Sequence, residues 1–150
     1  MSFARFVASG FGVGFAPKAP GTAGSLLGLA LAVPLMAGPP WLLPLGCLGV
    51  CLVGTWATVQ AGGADDPGWV VIDEVAGQWI ALLALSGLGW LGFALAFALF
   101  RLFDIAKPGP IGWVDRQGGA LSVMADDVLA GLAAAACLGL LRLSAPSLGL

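Results

Sequence analysis

The chain has no histidine, no tyrosine and only three cysteines, and it carries little charge of either sign: 6 Lys plus Arg and 8 Asp plus Glu in 150 residues. Each shortage removes a class of protein. Without histidine there is no Ser-His-Asp triad, no phosphohistidine chemistry and no imidazole ligand for a metal. Cys47, Cys51 and Cys137 lie in apolar runs without a basic neighbour, where a thiolate is strongly disfavoured. They read as small core residues, not as redox or nucleophilic groups. A net charge of -2 and the lack of any Lys/Arg cluster leave no basic surface for nucleic acid. A soluble domain of this length carries about a quarter charged residues, roughly 37, so a conventional water-facing globule is excluded. Disorder is excluded too, because 59% of the residues are hydrophobic and the mean hydropathy is +1.00. The composition is that of an integral membrane protein.

The few charges are unevenly placed, and none falls in residues 19–64, 75–100 or 128–141. A spanning helix needs about 20 apolar residues to cross roughly 30 Å of hydrocarbon. The first uncharged stretch fits two helices, about residues 22–37 and 41–61, separated by Gly38-Pro39-Pro40, through which no helix continues. The second is either one long span or a hairpin broken around Ser86-Gly87-Leu88-Gly89. A single span sets Arg5, Lys18 and Arg142 against Arg101, Lys107 and Arg116. A hairpin gathers Arg5, Lys18, Arg101, Lys107 and Arg116 on one face and leaves Arg142 alone on the other, which is the asymmetry that cytoplasmic basic residues impose. The hairpin is therefore predicted, with arms at about residues 69–85 and 90–106, tilted or partly submerged. The last helix is predicted over about 126–143.

The resulting expectation is an all-α integral membrane protein with about five transmembrane or membrane-embedded helices and a single domain over 1–150. Its N-terminus is cytoplasmic and all its carboxylates lie on the cytoplasmic face. Lys18 interrupts the N-terminal apolar run too early for a cleavable signal peptide. Glycines placed on helices, such as Gly24, Gly28 and Gly92, read as close-packing positions.

Polar chemistry is concentrated in three places. The first is the glycine- and proline-rich segment from Gly12 to Ser25, which opens a helix and carries Lys18, Thr22 and Ser25. Glycines admit close approach of a ligand, and a helix N-terminus offers free N–H groups, so this is a candidate phosphate cradle. A plain N-cap by Thr22 or Ser25 accounts for it equally well. The second is Asp65-Asp66-Pro67-Gly68 followed by Trp69-Val70-Val71-Ile72-Asp73-Glu74. Asp73 and Glu74 start a helix at or below the membrane boundary, where a charge costs about 2.5–3.5 kcal/mol and marks function by default. Asp65 and Asp66 read as solvated loop. The third runs from Arg101 through Asp104 and Lys107 to Asp115-Arg116 and Asp126-Asp127. Arg101 and Asp104, three residues apart, also fit a simple ion pair, and Asp126-Asp127 fit capping residues. Against those bland readings, Asp73, Glu74, Asp104, Asp126 and Asp127 are brought to one face, and five carboxylates near hydrocarbon demand a cation. Arg101 and Lys107 are too few. Oxygen ligands without His or Cys suit Mg²⁺ together with a phosphate, so the constellation points to metal-assisted phosphoryl chemistry at a membrane surface.

Four segments carry a resemblance: GFGVGFAPKAPGTAGS at 10–25, DDPGWVVIDEVAG at 65–77, FRLFDIAKPGPI at 100–111 and MADDVLAG at 124–131. In this order they resemble the phosphatidylglycerophosphatase A family across nearly the whole stretch from Gly10 to Gly131. One departure is Gly118-Gly119-Ala120-Leu121-Ser122, where the family tends to be richer in glycine. The resemblance implies a Mg²⁺-dependent phosphomonoesterase of the bacterial cytoplasmic membrane, acting on the phospholipid phosphatidylglycerophosphate with its active site facing the cytoplasm. On that expectation Glu74, Asp104 and Asp127 hold Mg²⁺, with Asp73 and Asp126 as further ligands or as the base for an attacking water. Lys18, Thr22, Ser25, Arg101 and Lys107 bind the phosphate. A transporter fits less well, since the middle of every predicted helix is uncharged. A phosphotransferase passing the group to an alcohol is the other alternative on residue types alone.

Overall fold

The computed structural model describes residues 1–150 and is all-helical, without strands. Seven α-helices follow in order: α1 (Phe3–Ala8), α2 (Pro20–Met36), α3 (Leu42–Gln60), α4 (Ile72–Leu82), α5 (Trp90–Ala106), α6 (Pro110–Asp115) and α7 (Ala120–Ser144). Single 3₁₀ turns lie at Val13–Phe15 and Pro146–Leu148.

The short helix α4 is the centre of the bundle. It packs against α2, α3, α5 and α7, and nine of its eleven residues are buried. Glycine is what lets its neighbours come so near. On α2 the small residues Gly21, Gly24, Gly28 and Ala32 recur at helical spacing, and a Cβ on Gly24 would lie 2.7 Å from Val71 Cβ. Where α4 crosses α7, a Cβ on Gly77 would lie 2.6 Å from the Asp127 carbonyl, and one on Gly131 would collide with the Gly77 carbonyl. Backbone therefore meets backbone at this crossing, as small-residue helix interfaces allow.

The outside of the bundle is as apolar as the inside. Leu45, Leu48 and Leu52 form an exposed stripe on α3, and Leu132, Leu140 and Leu143 are exposed on α7. Two helices, α3 with 19 residues and α7 with 25, are long and apolar enough to cross a membrane. At 17 residues, α2 is apolar but shorter.

The charge gaps located the main helices. Residues 75–100 do form two helices and not one: Gly77 meets Phe100 and Gly92 meets Leu85, so α4 and α5 run antiparallel with the break at 83–89. The boundaries differ from expectation in two places. α4 is shorter than residues 69–85 because the chain before it is spent on other contacts. The Val71 N–H donates to the Ala8 carbonyl at 3.0 Å, and the Trp69 ring stacks on Phe15 beneath the Arg5 guanidinium. α7 begins at Ala120, six residues before Asp126. Gly118 (φ 71°) and Gly119 (φ 88°) make the break, and helix-forming residues follow at once. The short helices α1 and α6 were not anticipated.

Candidate active site

Three carboxylates converge at the α4–α7 crossing. Asp73 and Glu74 stand in the first turn of α4, where the helix dipole favours negative charge, and Asp127 comes from α7. One oxygen from each lies within 4.8 Å of the others. Asp73 and Asp127 are buried at 6% and 3% exposure, and no Lys or Arg forms a salt bridge with any of the three. Asp73 Oδ1 and Glu74 Oε2 are buried without any hydrogen-bond partner. A buried carboxylate left in that state is strongly destabilising, and a bound cation removes the penalty. An all-carboxylate donor set fits a hard divalent ion.

A second group of charges adjoins the first but is internally paired. Lys107 caps α5 in the left-handed region (φ 42°). Its Nζ donates to Asp115 and, at 2.6 Å, to Asp126. Burial works against the ammonium, but the two carboxylates outweigh it and hold Lys107 above the ordinary lysine value. The bond from Lys107 in turn holds Asp115 below the ordinary aspartate value. Arg101 pairs with Asp104, and the charge of Asp104 bears on both Glu74 and Asp127.

All five predicted carboxylates thus come to one end of the bundle, divided into two sets. Asp126 and Asp127 are not capping residues, since α7 starts six residues earlier. The Arg101–Asp104 ion pair is present. α2 arrives at the cluster through Gly21, where a Cβ would collide with Glu74 Oε1 and approach Arg101 Nη1 to 3.2 Å. The N-cap position of α2 is Ala19 (φ 47°) with no side-chain cap, so neither Thr22 nor Ser25 caps the helix. Ser25 is buried and its Oγ donates back to the Gly21 carbonyl at 2.9 Å. Thr22 is half-buried, and Lys18 is exposed without a salt bridge.

Three residues belong here that sequence reasoning passed over. Asp66 is exposed, yet it shares its electrostatic surroundings with Lys107, Asp115 and Asp104; partial desolvation raises it above the ordinary aspartate value against the pull of Lys107. The loop that carries it is tied to the start of α7 by the Gly119 N–H, which donates to the Ala64 carbonyl at 3.1 Å. Asp115 completes the Lys107 bridge. Gln78, one turn beyond Glu74 on α4, is wholly buried, and neither its Oε1 nor its Nε2 has a partner. Its spacing of four from Glu74 inside an apolar run was the available signal.

An all-helical bundle with an apolar exterior and a buried three-carboxylate cluster at one end defines a membrane-type protein with a site fit for a divalent cation. The family model for phosphatidylglycerophosphatase A matches residues 6–142. The chain belongs to that family. Phosphatidylglycerophosphatase A of Escherichia coli strain K12 is 40% identical over 89% of this chain and 80% of its own. The enzyme of that name from Haemophilus influenzae is 41% identical over 85% and 82%. A Bacteroides thetaiotaomicron protein, provisionally named a phosphatidylinositol-3-phosphatase, is 40% identical over 84% and 85%. No solved structure matches the chain.

Proposed function

We propose that this protein is a phospholipid phosphatase that hydrolyses the terminal phosphomonoester of phosphatidylglycerophosphate, giving phosphatidylglycerol and phosphate. The observation that carries the reading is the convergence of Asp73, Glu74 and Asp127 with unpartnered buried oxygens in a chain of this family. The ion is Mg²⁺, held by those three carboxylates, with Asp104 and Asp126 beside them. Bound there, it supplies a Lewis acid for the phosphate oxygens and acidifies a water.

The chain's own groups supply the rest. Arg101, fixed by Asp104 and adjoining Gly21, offers a guanidinium to the phosphate, and its buried Nε is a donor without a partner. The opening turn of α2, with Thr22 and Ser25 near it and Lys18 outside it, adds N–H donors and positive dipole to the same oxygens. Lys107 holds Asp126, and through it the polar top of α7, in place. Asp73 or Asp126 takes the proton of the attacking water.

The protein sits in the bacterial cytoplasmic membrane with α2, α3, α5 and α7 embedded, α4 partly submerged, and the acidic end on the cytoplasmic side. The distribution of Arg5, Lys18, Arg101, Lys107 and Arg116 against Arg142 supports that orientation. A second reading, hydrolysis of a 3-phosphorylated inositol phospholipid, is favoured by the Bacteroides relative alone; both are phosphomonoesters on a lipid headgroup.

Phosphate release by detergent-purified protein tests the proposal. Release from phosphatidylglycerophosphate is expected with Mg²⁺, is abolished by EDTA and returns on adding excess Mg²⁺. Release that EDTA leaves untouched overturns the metal. Faster release from phosphatidylinositol 3-phosphate moves the substrate to the second reading, and release from neither lipid overturns the phosphatase.

A further inference from the structure

Beneath the Lys107–Asp126 bridge, the seam between α5 and α7 opens into an apolar groove of about 350 Å³. Its placement follows from helical spacing. Phe103 is one turn below Lys107 on α5, and Leu129 and Ala133 lie about one and two turns below Asp126 on α7. Pro108, directly after Lys107, and buried Ile111 of α6 close the upper end. The groove is therefore the continuation of the charged seam away from the acidic end. At a rise of 1.5 Å per residue, Ala133 lies about 10 Å deeper along α7 than Asp126. Beside it, Leu102, Ile105 and Leu132 are exposed apolar residues, so the groove opens onto the surface that faces hydrocarbon. The small side chain of Ala133 leaves the space that a longer residue on that face would fill.

A seam that is charged at its top and apolar for two turns below it fits one kind of ligand, an amphiphile with an anionic head and a hydrocarbon tail. We infer that this groove seats an acyl chain of the phospholipid substrate, entering sideways from the bilayer while the headgroup phosphate reaches the carboxylates. The inference rests on the phosphatase reading above. It assigns Phe103, Leu129 and Ala133 to recognition of the lipid tail, a task separate from the phosphate chemistry.

The two readings are separated by comparing substrates with and without tails. Ala133→Phe fills the groove at a distance from the carboxylates. For this variant kcat/KM on long-chain phosphatidylglycerophosphate is expected to fall roughly tenfold, the discrimination a hydrophobic pocket delivers. The deacylated, water-soluble headgroup phosphate is cleaved at the wild-type rate. Ala133→Leu gives a smaller loss in the same direction. A long-chain phosphatidylglycerophosphate with a photoreactive group in its tail is expected to label the wild-type peptides carrying Phe103 and Leu129, and labelling falls in Ala133→Phe even if that variant is poorly active. Equal losses on both substrates, or no loss on the long-chain lipid, overturn the groove while leaving the phosphatase standing. A wild-type protein that cleaves neither substrate overturns the phosphatase and the groove with it.

Discussion

Two sets of carboxylates lie side by side at one end of this bundle and differ in whether a cation is already provided. Asp115 and Asp126 share the ammonium of Lys107, and Asp104 holds Arg101. Asp73, Glu74 and Asp127 have no such partner although Asp73 and Asp127 are the more deeply enclosed. The paired set closes its own electrostatics and can persist as part of the fold. The unpaired set is stable only if something charged arrives, and that is the physical signature separating a binding site from a structural ion pair.

The sharpest way to break the comparison is to remove charge from the unpaired set. Asp127→Asn and Glu74→Gln are each expected to lower kcat by roughly a hundredfold or more, since even outer partners of a metal site are worth ten- to a hundredfold. Both variants are expected to accumulate in membranes, because neutralising an unpartnered buried acid relieves the cation-free protein. Phosphate release and membrane yield measured together check this. Near-normal rates in both variants place the ion elsewhere.

The next largest effect comes from the crossing that creates the unpaired set. Gly131→Ala forces a Cβ into the Gly77 carbonyl, where no flexible side chain can yield. Overpacking of this kind costs typically 1–3 kcal/mol. A lowered melting temperature is expected, together with lost activity, since spreading α4 from α7 carries Asp127 away from Asp73 and Glu74. Loss of stability with unchanged kcat would separate the crossing from the chemistry.

That crossing also marks where the sequence ceased to be informative. Uncharged runs mark apolar helices because charge is excluded from hydrocarbon, so α2, α3 and the α4–α5 break were visible in residue order alone. The basic asymmetry favoured a hairpin for residues 75–100, and Gly77 against Phe100 bears it out. The gathering of the acids at one end was legible for the same reason. Their division was not. Asp126 and Asp127 are adjacent in sequence but about 100° apart around a helix, so one meets Lys107 and the other meets Glu74 and Asp73. Which goes where depends on the rotation of α7, set by contact between Gly77 and Gly131, two residues with no side chain to announce a partner. Asp66 was misjudged as simple loop because the backbone bond from Gly119 to Ala64 that docks it has no sequence signature. Expecting α7 to start at its acids placed them in a cap; the double-glycine break at 118–119 was the better signal.

The smallest expected effect lies in the paired set, and its sign with pH is fixed by the partners. Asp115 is held below its ordinary value by the bond from Lys107, so its contribution to stability is complete above about pH 4 and is lost as pH falls through the lower, folded value. Lys107 is held above the ordinary lysine value, so its contribution is complete below about pH 10 and is lost only as pH rises through the higher, folded value. Across neutral pH the bridge is intact. The Asp115 side chain is 37% exposed, and water screens it, so Asp115→Asn is expected to lower stability at pH 7 by about 0–1 kcal/mol. The gap between variant and wild type should close as the pH is lowered towards 3. Melting temperatures of both proteins in the same detergent over that range test it. A gap that persists unchanged at low pH, or a loss at pH 7 comparable to that of Gly131→Ala, would mean that Asp115 belongs with the carboxylates that lack a partner and not with those that have one.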